Sequence, residues 1–362
     1  MANMNPDAKR FAKVLLGQAV VLSGLWKRRL RMWAERNAVI ILTYHRVIEQ
    51  WDNVLEYSQP GMVVTVSTFE RQLAILKQHF EVVTLDAVLA NGHPRPGASR
   101  PRCVVTFDDG WRDNYDLAFP ILRRHDIPAT IFLTTDFIGT DRAFWHTELT
   151  YLLTRTRLSS LLSDDRAFRV YPDPVRHHLK RLARMDGVAS AHDLDPLIET
   201  VKALCDDDRI EQLVQLLMNA AGIRRPLVAD RKFFLDWDQI RTMAASGIDI
   251  GSHSCSHRIM TRLPAGQAHD ELIRSKADIE RRIGHTVKHF AFPNNDASGP
   301  LLTAAATAGY QTACLDRFDA NKQFGIRPLQ RLGMHEGVCG DGYAFNEALL
   351  YSWLFRTPRE SW

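Results

Sequence analysis

From residue 38 onward the chain alternates short β-rich runs with stretches of helical periodicity, and few folds satisfy that grammar. AVIILTYH (38–45), RCVVTF (102–107) and ATIFLTT (129–135) read as buried strands, and EVVTLDAVL (81–89) as a strand running into a helix. GIDIGSHS (247–254), TVKHFAFP (286–293) and YQTACL (310–315) continue the series, the last being its final clear strand. Between them Phe69, Leu73, Leu76 and Phe80 recur at helical spacing behind a Ser67–Thr68 cap. Further helices are predicted over Asn114–Arg124, Trp237–Ser246, Ala265–Ile283 and Leu301–Ala308, and NGHPRPGASRP (91–101) is a loop by its Gly and Pro content. Such alternation predicts an α/β fold with a parallel sheet or barrel. Residues 145–235 break the pattern with helical periodicity and few strand runs, which marks a helical insertion. The expected organisation is an N-terminal extension (1–37), a barrel domain (38–340) carrying the insertion, and a C-terminal extension (341–362).

With 362 residues, 45% of them hydrophobic, the chain can bury the core of one barrel-like domain plus extensions, and disorder, collagen and a polytopic membrane protein are excluded. A formal charge of +4, dispersed along the chain, does not point to nucleic acid as a partner. Five scattered cysteines without a CxxC pair indicate free or buried thiols rather than a disulfide framework or a thiolate zinc site.

The basic excess concentrates at residues 11–33, where an apolar stretch from Val14 to Trp26 runs into Lys27, Arg28, Arg29 and Arg31. This stretch is shorter than the about 20 apolar residues of a spanning helix, and basic residues follow it instead of a cleavage site. An amphipathic helix is expected, lying either on an acidic membrane surface or on the domain itself. The corresponding expectation for localisation is cytoplasmic or membrane-peripheral, with an extracytoplasmic location as the alternative.

In a parallel sheet or barrel, ligands meet the loops at the carboxyl ends of the strands, and this filters the candidate functional residues. Asp108 and Asp109 directly follow the apolar run VVTF, where adjacent side chains point apart, so one carboxylate can bind a cation while its neighbour moves a proton. His253 and His257 follow GIDIGS at i, i+4 spacing, which suits two imidazoles on one metal. His285 and His289 share the spacing but precede and enter a strand, so they fail the filter. One carboxylate with two imidazoles leaves positions open on a divalent ion, as in a catalytic site. His45 ends the strand ILTYH, and in a closed barrel the first strand lies beside the last, so it can face the same pocket.

Together these pieces resemble the polysaccharide deacetylases of carbohydrate esterase family four, from about Ile40 to Met334. TFDDGW (106–111) resembles the family's first motif, which implies Asp108 as general base and Asp109 as metal ligand. HSCSH (253–257) resembles the second, implying that His253 and His257 complete the metal triad. FAFPNN (290–295) lies where the third motif falls but departs from it: Ala291 stands where many members place an arginine that braces the base, and Asn294 replaces an aromatic. The backbone N–H of Asn294 is still expected to help hold the oxyanion. The family's Leu-x-x-His motif, source of the general acid, is matched by LTYH (42–45) at the opposite end of the chain, with His335 in RLGMH as its competitor.

The resemblance implies a distorted, incomplete (β/α) barrel. It also implies a divalent metal, with Zn²⁺ foremost and Co²⁺, Ni²⁺ or Mn²⁺ as options, and removal of N-acetyl groups from an amino-sugar polymer. Trp111 and Trp145 are candidates to flank the sugars, with core packing as the other option. The rival functions are an O-deacetylase or small-molecule amidase on the same scaffold, and a glycan-binding or assembly protein of little or no activity.

Overall fold

The structure is a computed structural model that describes residues 6–51, 58–90, 98–156, 159, 165–185, 187–225, 232–315, 318, 323–340 and 344–355. Part of the expected loop 91–101 and the ends of both expected extensions lie outside the described residues. The chain divides into two compact units, one made of 1–49, 64–139 and 234–362, the other of 50–63 and 140–233. The terminal segments 1–37 and 341–362 therefore belong to the first unit.

Eleven strands occur among the described residues: β1 (Val39–Tyr44), β2 (Arg46–Ile48), β3 (Val63–Thr65), β4 (Glu81–Val82), β5 (Arg102–Phe107), β6 (Thr130–Leu133), β7 (Asp249–Ser252), β8 (His289–Ala291), β9 (Thr312–Leu315), β10 (Arg327–Gln330) and β11 (Leu332–Gly333). Nine form one sheet in the order β10-β9-β8-β7-β6-β5-β1-β11, with β4 also paired to β5, and every pairing is parallel. β1 (VIILTY) and β5 (RCVVTF) are mostly apolar and buried at every position, as strands covered on both faces must be.

The strands at the two ends of this order, β10 and β11, are separated in sequence by Arg331 alone. Arg327–Gln330 pairs with β9 and Leu332–Gly333 with β1, so a single run of chain joins both edges and curls the sheet into a nearly closed barrel. YQTACL is consequently not the final strand. The two that follow are short and broken by an arginine, which hid them from a search for apolar runs.

Val39, Ile41, Val104, Phe132, Ala291, Cys314 and Leu329, drawn from six strands, pack together as one buried cluster. Gly251 serves this packing, because a Cβ on it would lie 2.5 Å from the Phe132 ring. All five cysteines are buried and none is in a disulfide.

The helix α3 (Val66–His79) is capped by Thr65, whose hydroxyl accepts the Thr68 N–H, one turn earlier than the expected Ser67–Thr68 cap. The N-terminal segment forms two helices where one was expected, α1 (Pro6–Leu22) and α2 (Leu25–Glu35), divided at Gly24 with φ 75°. No helix among the described residues is long and apolar enough to cross a membrane.

The second unit is helical: Trp145–Leu153, Asp173–Ala183, Ala191–Leu204 and Asp207–Ala221 bury Leu149, Leu179, Leu197 and Val214 in one cluster.

Candidate active site

The carboxyl ends of β1, β5, β7 and β8 and the β10–β11 junction supply the site. Asp108 continues the pairing of β5 with β1, donating its N–H to the Tyr44 carbonyl at 2.9 Å. At Asp109 the backbone turns into the left-handed region (φ 76°) and Gly110 follows it (φ 77°), so the two neighbouring carboxylates are sent in different directions. Glycine is favoured at 110, since a Cβ would lie 3.0 Å from both the Leu133 and Ile138 side chains in a backbone conformation that L residues rarely adopt.

Both carboxylates are almost wholly buried. Oδ2 of Asp109 accepts the Trp111 indole N–H at 2.7 Å. Its Oδ1 lies 3.1 Å from Nε2 of His257 and 3.4 Å from Nε2 of His253, and has no hydrogen-bond partner. Burial opposes charge on Asp109, but the imidazoles of His257 and His253 hold its carboxyl well below the usual range.

His253 extends β7 and donates its backbone N–H to the Leu133 carbonyl. Its Nδ1 sits 2.7 Å from the Ala291 carbonyl, which places a ring proton on Nδ1 and directs Nε2 at Asp109, where its lone pair would serve an ion. The loop carrying His257 is anchored by Glu271, which accepts the N–H groups of Cys255 and Ser256 and the Ser256 hydroxyl. Asp109, Ser254 and His257 all adopt positive φ, conformations that cost on the order of 1–3 kcal/mol each and persist where the surroundings impose them.

The ligand atoms of Asp109, His253 and His257 lie within 4.8 Å of one another, the one such cluster of potential metal ligands among the described residues. A buried carboxylate oxygen lacking a hydrogen bond, beside two imidazole nitrogens of which one has its tautomer fixed, fits a divalent ion with an N₂O donor set. The other i, i+4 pair separates: His285 is exposed, while His289 is buried at the start of β8 between Asp86 (3.1 Å) and Asp249 (3.3 Å).

Asp108 is braced by Arg331, which the sequence reading missed. Its guanidinium donates to both carboxylate oxygens at 2.6 Å, and also to Oδ1 of Asn295 at 2.8 Å. Burial works against the Asp108 charge, yet Arg331 and then His253 outweigh it and hold the carboxyl below its ordinary value. The arginine thus comes from the junction that closes the barrel, while Ala291, where it was sought, lies in the barrel core. Its sequence signal was a lone arginine between RPLQ and LGMH, uninformative until the pairing of both flanks is known.

The β1–β11 register, Leu42 with Leu332 and Thr43 with Gly333, carries His45 and His335 off adjacent strands at the same end of the sheet. Nε2 of His45 is 4.0 Å from Asp108, and its side chain is 27% exposed. His335 is shifted below the ordinary histidine value by burial and then by His45. The following residue, Glu336, accepts hydrogen bonds from the Thr65 N–H (2.9 Å) and the Thr68 hydroxyl (2.7 Å), tying this loop to the start of α3.

Asn294 is exposed in the turn Pro293–Asn295 with φ 60°. The two tryptophans require correction as sugar platforms. Trp111 is fully buried, stacked on Phe234 at 4.7 Å with the Arg46 guanidinium 4.6 Å from its ring, and its N–H holds the Asp109 carboxylate. Trp145 packs partly buried against the core of the helical unit.

Comparison with known proteins gives the class first. Solved structures with this fold include the Streptococcus pyogenes deacetylase PplD in complex with acetate (TM-score 0.52, 15% identity, 87% of this chain and 98% of that one). IcaB from Ammonifex degensii is similar to the same degree (TM-score 0.51, 17% identity, 87% and 96%). A sequence model described as polysaccharide deacetylase matches residues 96–181 and 208–313, just over half of the chain. The chain therefore belongs to the polysaccharide deacetylase family. Among curated relatives, a poly-beta-1,6-N-acetyl-D-glucosamine N-deacetylase of Staphylococcus epidermidis is 34% identical over 114 residues, 29% of this chain and 39% of the relative. The match spans about two fifths of that relative's length.

Proposed function

We propose that the chain is a metal-dependent N-deacetylase of a polymer containing N-acetylglucosamine. The observation that carries this reading is the buried Asp108–Arg331 pair set beside the Asp109, His253 and His257 cluster: a carboxylate base held ionised next to a set of metal ligands. The S. epidermidis relative, an N-deacetylase of such a polymer by its name, supports the substrate class.

Asp109, His253 and His257 would hold a divalent ion, Zn²⁺ by their N₂O donor set, and when bound it would supply Lewis-acid polarisation of the amide carbonyl and acidify water. Asp108, oriented through both oxygens by Arg331, accepts the proton of the attacking water as the new C–O bond forms. The Asn294 N–H donates to the oxyanion. His45 then gives a proton to the nitrogen as the C–N bond breaks, and acetate and a free amine leave. We assign the acid to His45 because it stands nearer the base and is partly open to solvent, whereas the lowered proton affinity of His335 favours its neutral form.

The non-catalytic alternative drew its support from the missing arginine at position 291, and Arg331 removes that support. The test is release of acetate and amine from a poly-N-acetylglucosamine oligomer, beside release from an O-acetylated glycan. Activity on the first that is lost on chelation and in Asp108→Asn is expected. Cleavage confined to the O-acetyl substrate, or an Asp108→Asn variant as fast as wild type, overturns the assignment.

A further inference from the structure

Residues 9–34 carry seven Lys or Arg and no Asp or Glu, the most one-sided charge run met in the sequence. α1 uses one face to dock. A Cβ on Gly17 would fall 1.8 Å from the Ala348 carbonyl, so α1 meets the helix Glu347–Phe355 backbone to backbone, and Val20 is buried nearby. α2 docks through Trp26, Leu30 and Trp33, with Arg29 turned inward over the Trp33 and Phe355 rings.

The outward side of α1 carries an apolar stripe as well, interrupted by the exposed Gln18. Phe11 is 64% exposed, Leu15 49% and Leu22 87%, and their spacing of four and seven residues places them on one stripe away from Gly17 and Val20. Leu25, 47% exposed, extends that surface to the start of α2, where Lys27, Arg28 and Arg31 are exposed. A helix facing water would normally be polar on this side.

We infer that α1 and the first turns of α2 form a docking surface for an anionic lipid bilayer, lying in the plane of the headgroups. The apolar stripe inserts among the acyl chains, while Lys27, Arg28 and Arg31 meet acidic headgroups. Charge complementarity selects this occupant. A second copy of the chain would bring Lys27, Arg28 and Arg31 against the same cations, with Glu35 the one acidic residue of α2 to oppose them. The inference is independent of the reaction assigned to the barrel.

The experiment is co-sedimentation of the full-length protein with vesicles of phosphatidylcholine alone and of phosphatidylcholine with phosphatidylglycerol. Wild type is expected to pellet with the anionic vesicles and to be released by salt. Phe11→Ser/Leu15→Ser/Leu22→Ser and, separately, Lys27→Gln/Arg28→Gln/Arg31→Gln should each weaken binding by about tenfold or more. The glutamine variant leaves every apolar contact intact, so it remains decisive if the serine variant is destabilised. Wild type that stays in solution with anionic vesicles overturns the inference. So does glutamine-variant binding equal to wild type, or a dimer in sedimentation velocity that the serine substitutions dissociate while vesicles bind neither form.

Discussion

Replacing Trp111 by Phe removes one N–H and little else, which makes it a sharp probe of how the metal ligands are held. The phenyl ring retains the stack on Phe234 and the position beneath the Arg46 guanidinium, while Oδ2 of Asp109 loses its 2.7 Å donor. A hydrogen bond to a buried carboxylate contributes about 1.5–3 kcal/mol, and groups that orient a metal ligand typically change affinity by about 10- to 100-fold. The dissociation constant for Zn²⁺ should therefore rise by about 10- to 100-fold, or about 1.4–2.7 kcal/mol. The assay is competition against a chromophoric chelator, with thermal melts in excess chelator to follow the metal-free fold. Phe234→Leu, which disturbs the stack but keeps the N–H, serves as the control and should stay within about threefold of wild type. If Trp111→Phe also binds within about threefold of wild type while Asp109→Ala has lost the ion, the indole does not hold the ligand and the reasoning fails.

Three further outcomes are expected. Arg331→Met strands the Asp108 carboxylate in the interior and should cost about 3–5 kcal/mol in urea unfolding, much of it recovered in Asp108→Leu/Arg331→Met; a single variant as stable as wild type refutes the pairing. Gly251→Ala drives a methyl into the Phe132 ring and the His289 carbonyl, and should cost about 1–3 kcal/mol by the same measurement. Asp86 is held below the usual carboxylate range by the hydrogen bond from His289 and by Lys288 against its partial burial, so its contribution is full above the ordinary Asp range and is lost as pH falls below that range through the lowered folded value. Because the side chain is 46% exposed, Asp86→Asn should cost about 1 kcal/mol or less near neutrality. Melts in acid should show that deficit closing, and a deficit unchanged with pH would refute the account.

What could be read from the sequence was whatever a single strand and its end encode. VVTF followed by Asp108–Asp109, and GIDIGS followed by His253 and His257, announce both the strand and the chemistry at its tip, because a parallel sheet gathers all such tips at one end. The decoy pair was separable on the same ground, since His289 opens β8 rather than closing a strand. What could not be read depends on contacts between distant segments. Trp111 looks like a sugar platform until the fold places its N–H on Asp109, and Arg331 looks like an interruption until its flanks are seen to pair with β9 and β1. The Thr65 cap was missed by a single turn because three hydroxyl residues follow one another closely there.

The two halves of the site differ in where the chain obtains them. Asp109, His253 and His257, the proposed metal ligands, follow β5 and β7, and the carbonyl beside Nδ1 of His253 belongs to β8. All of these lie inside the segments that match the family model. The groups around the base do not: His45 precedes residue 96, and Arg331 and His335 follow residue 313. They meet only because β11 pairs with β1, so the barrel's closure and the assembly of the proton-handling side are one structural event. A change that opens this seam should therefore impair the base and its histidine neighbours while leaving the metal ligands in register, since β5, β6 and β7 pair with one another independently of β11. The position of the bracing arginine can differ from the family's motif for the same reason. A brace needs to reach the base from across the barrel mouth, and any strand bordering that mouth can supply it if its register sends a buried guanidinium to both oxygens.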